Sequence, residues 1–171
     1  MTDQIDWEKV DKKVKKFTFE DEVKLAKCVH VYDGDTVHLV FPVQGILYRW
    51  SCRLSGVDTP ELRTRNKQEK VYGYQVRDAL REKLANKMVM VHCGEFDKYG
   101  RLLGQIYLKD DYEEQKGGNK DEQGVQGDSD DLQKNSINQW LIDNNYAFPY
   151  DGGSKKDWDD FLSNKKKDKS E

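Results

Sequence analysis

Long apolar runs are missing from this chain. Nowhere do 18 hydrophobic residues follow one another, so no membrane-spanning helix and no membrane partner are expected. Apolar residues are sparse overall, 36% of 171 positions and no more than the 36% that are charged. A typical domain has about 45–50% and about 25%. Too few exist for every position to share one packed core, so one domain with solvated segments is expected. Cysteine is scarce: Cys28, Cys52 and Cys93 are an odd number, far apart, each inside an apolar run. That excludes a disulfide framework and zinc-ligand spacing, and buried, reduced thiols are expected. Histidine is scarce as well, and His30, His38 and His92 lie in strand-like segments, so a zinc or soft-metal cluster is disfavoured. The N-terminus is charged throughout and lacks the apolar centre of a secretory signal, which leaves an intracellular location as the default expectation.

Charge is abundant and uneven. Residues 110–133 hold nine acidic side chains against Lys116 and Lys120, a net of −7, so the rest of the chain carries +4 within a total of −3. A mildly basic body is compatible with a polyanionic partner. The acidic stretch has only Tyr112, Val125 and Leu132 as sizeable apolar residues and reads as a flexible loop inside the domain.

The periodicities divide the chain. Residues 1–22 form a charged extension in which Ile5, Trp7, Val10, Val14 and Phe17 fall at helical intervals, as a short helix or a frayed tail. Strand patterns cover 23–31, 36–41 and 46–54 as a meander with short turns, then 88–93 and 103–108. Between the third and fourth, Tyr72, Val76, Ala79, Leu80 and Leu84 mark one face of a helix over 70–86. Ser136 is suited to cap a helix carrying Ile137, Trp140 and Leu141, and a last short helix presents Trp158, Phe161 and Leu162. The architecture expected is α+β but mainly β: a five-stranded OB-fold barrel over 23–163, with an inserted helix after strand three, two C-terminal helices, and a charged tail at 164–171.

Four turns carry the polar chemistry. Asp33-Gly34-Asp35-Thr36 aims two carboxylates at one point, or is merely a hairpin turn. Arg53-Leu54-Ser55-Gly56-Val57-Asp58-Thr59-Pro60-Glu61 ends a strand with two acids three residues apart; alternation would put Arg53 and Asp58 on opposite faces unless the chain turns near Gly56. Asp97-Lys98-Tyr99-Gly100-Arg101 is a hairpin loop that needs no function by itself. Tyr146 to Gly153 is aromatic and glycine-rich, suited either to stack on a base or to plug the barrel.

Taken in order, DGDT, RLxGVDTPE, a helix entered through Tyr72-Gly73, and DKYGR resemble the thermonuclease family typified by staphylococcal nuclease, from about Val23 to Phe161. The resemblance implies a five-stranded OB barrel with three helices and calcium-dependent hydrolysis of DNA and RNA, single-stranded or frayed regions favoured. It implies that Asp35 and Asp58 give carboxylate oxygens to Ca2+ and Thr59 its carbonyl, with Asp33 close by through water. It further implies that Arg53 and Arg101 grip the scissile phosphate, that Glu61 is the general base, and that Lys98, Tyr99 and Tyr150 contact substrate. A monomer with no protein partner is expected. The competing reading is a non-catalytic OB-fold module that binds nucleic acid or protein.

The residue types suit phosphodiester hydrolysis. Oxygen ligands suit a hard divalent cation, which offsets the repulsion between a nucleophile and an anionic ester. Guanidinium groups keep their charge and fork onto phosphoryl oxygens as charge builds there. A glutamate in a turn can take a proton from water. Against the family pattern stand the acidic insert, a short final helix, the N-terminal twenty residues, and a basic strip after Glu61 formed by Arg63, Arg65, Lys67 and Lys70.

Overall fold

A computed structural model describes residues 5–117 and 133–167 of the chain. Strands β1 (Val23–Val31), β2 (Thr36–Val43) and β3 (Ile46–Leu54) run as an antiparallel meander. A two-residue strand β4 (Val57–Asp58) follows, then helix α1 (Lys67–Leu84), β5 (Met88–Phe96) and β6 (Leu102–Leu108). The barrel closes in the order β1-β2-β3-β6-β5, with β5 returning to β1 and β3 parallel to β6. After β6 come α2 (Lys109–Gly117), α3 (Ile137–Asp143), β7 (Phe148–Pro149) and α4 (Trp158–Lys167). A closed, mainly β, mixed five-stranded barrel with an inserted helix after the third strand is the architecture expected from the periodicities.

Alternation makes the barrel. Val37, Leu39 and Phe41 of β2 point inward against Ala26, Cys28, Cys52, Leu54, Val89, Val91 and Ile106, all buried. The three thiols are free and buried, and burial pushes Cys28 and Cys93 up to about 11 and Cys52 in the same direction. In β1 the small Ala26 and Cys28 face in while Val23, Leu25 and Val29 face solvent, with a register shift between Cys28 and His30. α1 is capped by Asn66, whose side-chain oxygen accepts from the Gln68 and Glu69 amides at 3.0 and 3.2 Å. It buries Tyr72, Val76, Leu80 and Leu84.

The parallel seam between β3 and β6 spans only three residue pairs, and Asn138 of α3 reinforces it. Its side chain accepts from the Ile106 amide at 3.1 Å and donates to the carbonyls of Ser55 and Gly104 at 2.8 and 3.1 Å. Ser136 caps α3 as expected, accepting from the Gln139 amide at 3.0 Å.

Two expectations change. The stretch 110–133 does not begin as a loop: Lys109–Gly117 is helical, because Tyr112 is buried against Tyr107 and His92. Residues 118–132 of that stretch, and 168–171 of the expected tail, lie outside the described residues, while α4 runs on to Lys167. Among the described residues of the N-terminal segment, Trp7–Lys9 form a single helical turn, and Ile5, Trp7, Val10, Val14 and Phe17 are exposed. Phe19, by contrast, is buried edge-on to Phe41 and Trp50 at one end of the barrel, so core packing reaches back to it.

Candidate active site

Small residues let three segments meet at one end of the barrel. A Cβ on Gly34 would lie 2.9 Å from the Thr59 side chain and 2.9 Å from Val76 Cγ1. A Cβ on Gly73 would lie 3.0 Å from the Pro60 carbonyl oxygen. Glycine at both positions therefore locks the Asp33–Asp35 turn, the Val57–Glu61 turn and α1 together. The turn required between Arg53 and Asp58 is present: Gly56 has a φ of 74°, a conformation that suits glycine. Beyond it, β4 pairs with β7, and the Tyr150 amide donates to the Gly56 carbonyl at 2.9 Å.

The charged groups then converge. Arg53 Nη1 donates to the Leu54 carbonyl at 2.7 Å and Nη2 to the Val57 carbonyl at 3.0 Å, and Nη2 lies 3.2 Å from Asp35 Oδ2. The Thr36 hydroxyl donates to Asp35 Oδ1 at 2.9 Å, and Arg101 Nη1 reaches that same hydroxyl oxygen at 3.5 Å. Arg101 is braced by Asp97, which accepts from its amide at 2.9 Å and from its Nε at 2.7 Å. Burial alone would raise the Asp97 carboxyl, but bonds from Arg101 and from the Tyr99 amide hold it below the usual range. Asp33 accepts from the Asp35 amide at 3.1 Å; burial first, then the neighbouring Asp35 charge, push it up to about 6.

Arg53, Glu61, Lys98, Tyr99, Arg101 and Tyr150 line one cleft of about 660 Å³. Tyr99 is 72% exposed, with the Lys98 ammonium and the Arg101 guanidinium over its ring at 5.1 and 5.5 Å. Asp58 and Thr59 do not line the cleft; they are buried, 2% and 4% exposed, and Asp58 meets it through the cleft residue Lys155. Among the described residues, no three His, Cys, Asp or Glu side chains are gathered into a group that could hold a metal ion, Asp33, Asp35 and Asp58 included.

Sequence reasoning missed the lysine in this site. Lys155 Nζ lies 2.8 Å from Glu61 Oε1 and 3.0 Å from Asp58 Oδ1. Burial would lower its pKa, but its hydrogen bond to Glu61 and the charges of Asp58 and Glu61 raise it well above the ordinary ammonium value. The bond to Asp58 is poorly aligned: Oδ1 is buried and has no partner in hydrogen-bond geometry. No local signal marks Lys155, one of several lysines beyond a Gly-Gly pair; only the fold carries it to Glu61.

Comparison with known proteins agrees with this geometry. The model of the Staphylococcal nuclease homologue family matches residues 51–171, well over half the chain. An uncharacterized protein of Methanocaldococcus jannaschii is 36% identical over 102 residues, covering 48% of this chain and 47% of its own length. An uncharacterized endonuclease of Escherichia coli O157:H7 is 34% identical over 84 residues, covering 49% and 48%. A thermonuclease of Staphylococcus hyicus is 33% identical over 84 residues, covering 48% and 47%. The chain thus spans about half the length of the curated relatives it matches. With the match over 51–171 and the barrel and turns described above, the chain belongs to the family of staphylococcal nuclease homologues.

Proposed function

We propose that the cleft hydrolyses phosphodiester bonds of DNA and RNA with the help of a divalent cation, Ca2+, and with little sequence preference. The convergence of Arg53, Arg101 and Glu61 on one cleft, with buried Asp58 tied to Glu61 through Lys155, carries the reading. The relatives named endonuclease and thermonuclease agree with it.

The cation fits the donors. They are all oxygens, which a hard divalent ion prefers, and buried Asp58 already meets a cation, the Lys155 ammonium, at 3.0 Å. Asp35, Asp58 and the Thr59 carbonyl would hold the ion, with Asp33 behind. When bound it would supply positive charge to a phosphoryl oxygen.

The remaining steps belong to side chains. Arg101, braced by Asp97, and Arg53, held by two carbonyls, present guanidinium charge to the phosphoryl oxygens as a fifth bond to phosphorus forms. Glu61 takes a proton from the attacking water, and the leaving oxygen departs on the opposite side. Lys98, Tyr99 and Tyr150 contact the nucleotide at the cleft rim. Contacts to phosphate rather than base edges give weak sequence preference. A binding-only barrel would need none of these groups together. Every proposed group lies on one chain, so a monomer suffices for the reaction.

Incubating the protein with plasmid or single-stranded DNA, with calcium or a chelator, tests this. Calcium-dependent cutting is expected, with Glu61→Gln lowering turnover about 10²–10⁴-fold while DNA binding persists. No cutting, or cutting indifferent to the chelator, would overturn the reading.

A further inference from the structure

The wall of the barrel beside the catalytic turn has a composition the cleft does not explain. Of the 171 residues 32 are acidic, yet none lies in β1, β2 or β3. These strands instead carry Lys24, Lys27, His30, His38 and Arg49 in addition to Arg53. Lys24 is already paired with Glu22, but Lys27 and Arg49 form no ion pair among the described residues. Three rings form a row on the outer face. His30 and His38 are cross-strand partners with centroids 5.2 Å apart. Tyr32 stacks near His38, centroids 6.4 Å apart and planes inclined by 26°. Tyr32 is 44% exposed, and Arg63 Nη2 donates to its hydroxyl at 2.9 Å. Arg49 continues the row on β3, its Cα paired with Val40, two residues beyond His38.

The row starts at the proposed reaction centre. Tyr32 directly precedes Asp33-Gly34-Asp35, and Arg63 follows Glu61 by two residues. Moving away from the cleft, a strand would meet Arg63, Tyr32, His38 and His30, then Arg49. Three flat rings lie along that path, with a guanidinium at each end. Aromatic faces and cations along an open groove are what an unpaired nucleic acid strand binds, bases on rings and phosphates on cations. Duplex bases are already stacked on each other and cannot use the rings.

We propose that the outer face of β1–β3, from Arg63 and Tyr32 across His38 and His30 to Arg49, is a track for single-stranded nucleic acid extending from the cleft. This rests on the proposed nuclease reading for its substrate, but binding along the track needs no catalysis. Burial, then the neighbouring His30 and Arg49 charges, lower the pKa of His38, so its ring is neutral near pH 7 and serves as a stacking face rather than a cation.

Fluorescence anisotropy on the full chain carrying Glu61→Gln, with and without calcium, tests it. The probes are a labelled oligothymidylate of about twelve nucleotides, a thymidine dinucleotide and a blunt duplex. The double substitution Tyr32→Ala, His38→Ala should weaken binding of the long oligomer about tenfold or more, leaving the dinucleotide and the duplex unchanged. Tyr32→Phe, which keeps the ring, should bind like the parent, and Arg63→Ala should lower the salt dependence. A thermal melt near that of the parent shows that the double variant is folded; if it is not, the Arg63→Ala result decides. Long-oligomer binding unaffected by these changes would overturn the track, whether or not the wild type cuts. An equal loss for oligomer and duplex would overturn its single-strand preference. Absence of cutting by wild type with the selective loss intact would overturn the nuclease reading and leave the track standing.

Discussion

Lys155 bridges Glu61 and Asp58, with its ammonium 2.8 Å from one carboxylate and 3.0 Å from the other. A tethered cation thus sits against two groups assigned to hold metal and to activate water. A divalent ion and this ammonium cannot neutralise the same carboxylates without opposing each other. On the proposed reading, binding of the ion would displace Lys155, and Gly152-Gly153 precedes it in the chain, with Gly152 at a φ of 96°. Lys155→Met should therefore bind calcium about tenfold more tightly or better, read by isothermal titration calorimetry. It should melt lower than wild type in chelator, because Asp58 is left buried without its counter-charge. Added calcium should raise the melting temperature of the variant more than that of wild type. Equal calcium affinities would show that the lysine does not compete.

Asp97 organises the loop that presents Arg101. Its Oδ1 accepts from the Tyr99 amide at 2.8 Å and the Arg101 amide at 2.9 Å, and its Oδ2 accepts from Arg101 Nε at 2.7 Å. These bonds to the ionised carboxyl lower its pKa in the folded protein despite the opposing effect of burial. The stability they contribute is present above the unfolded value of 3.8 and is lost as pH falls through the lower folded value. Asp97→Asn should cost on the order of 1–3 kcal/mol at pH 7, with the difference from wild type shrinking on acidification below that window. Denaturant melts across pH measure this. Turnover should fall more than substrate affinity, because a guanidinium without its brace is misplaced for the transition state rather than absent. A variant matching wild type in both would remove Asp97 from the catalytic account.

The elements legible in the sequence are those governed by local period. β2 alternates Val37, Leu39 and Phe41 inward, and α1 buries Tyr72, Val76, Leu80 and Leu84 on one stripe. The meeting of Arg53 with Asp35 was legible only through the order of motifs, whereas the turn at Gly56, with its positive φ, was demanded by the alternation conflict between Arg53 and Asp58. Contacts set by the tertiary fold left no such trace. Lys155 reaches Glu61 across 94 residues, and Asn138 reaches the Ile106 amide and the Ser55 carbonyl across the β3–β6 seam. Phe19 and Tyr112 each lie in a charged stretch whose composition argues for solvent, yet one buried ring in each anchors its neighbours. In β1 the outward Val23, Leu25 and Val29 invert the usual expectation for the core face, since small Ala26 and Cys28 fit the interior.

Tyr112 decides whether α2 exists. Its hydroxyl shares a 3.0 Å hydrogen bond with His92 Nε2, and its ring meets those of His92 and Tyr107 at 5.5 and 5.4 Å. α2 is otherwise polar and Tyr112 is its one buried residue, so helix propensity alone would not hold so short a segment. Tyr112→Ala should abolish amide protection over 109–117 in hydrogen-exchange mass spectrometry while β1, β2 and β3 stay protected. It should cost about 3–5 kcal/mol at most, less where the surface collapses onto the gap. No residue of α2 lines the cleft, so cutting of DNA should persist. The same contact is sensitive to pH. Burial, then the charge of Lys116, lower the pKa of His92, so the folded state favours the neutral ring. Its contribution is complete above the unfolded value of 6.5 and is lost as pH drops below it, where the unfolded chain takes up the proton more readily. Protection of α2 should therefore weaken between about pH 7.5 and pH 5.5 in wild type and much less in His92→Gln. Protection that is flat with pH in wild type would show that this histidine plays no part in docking the helix.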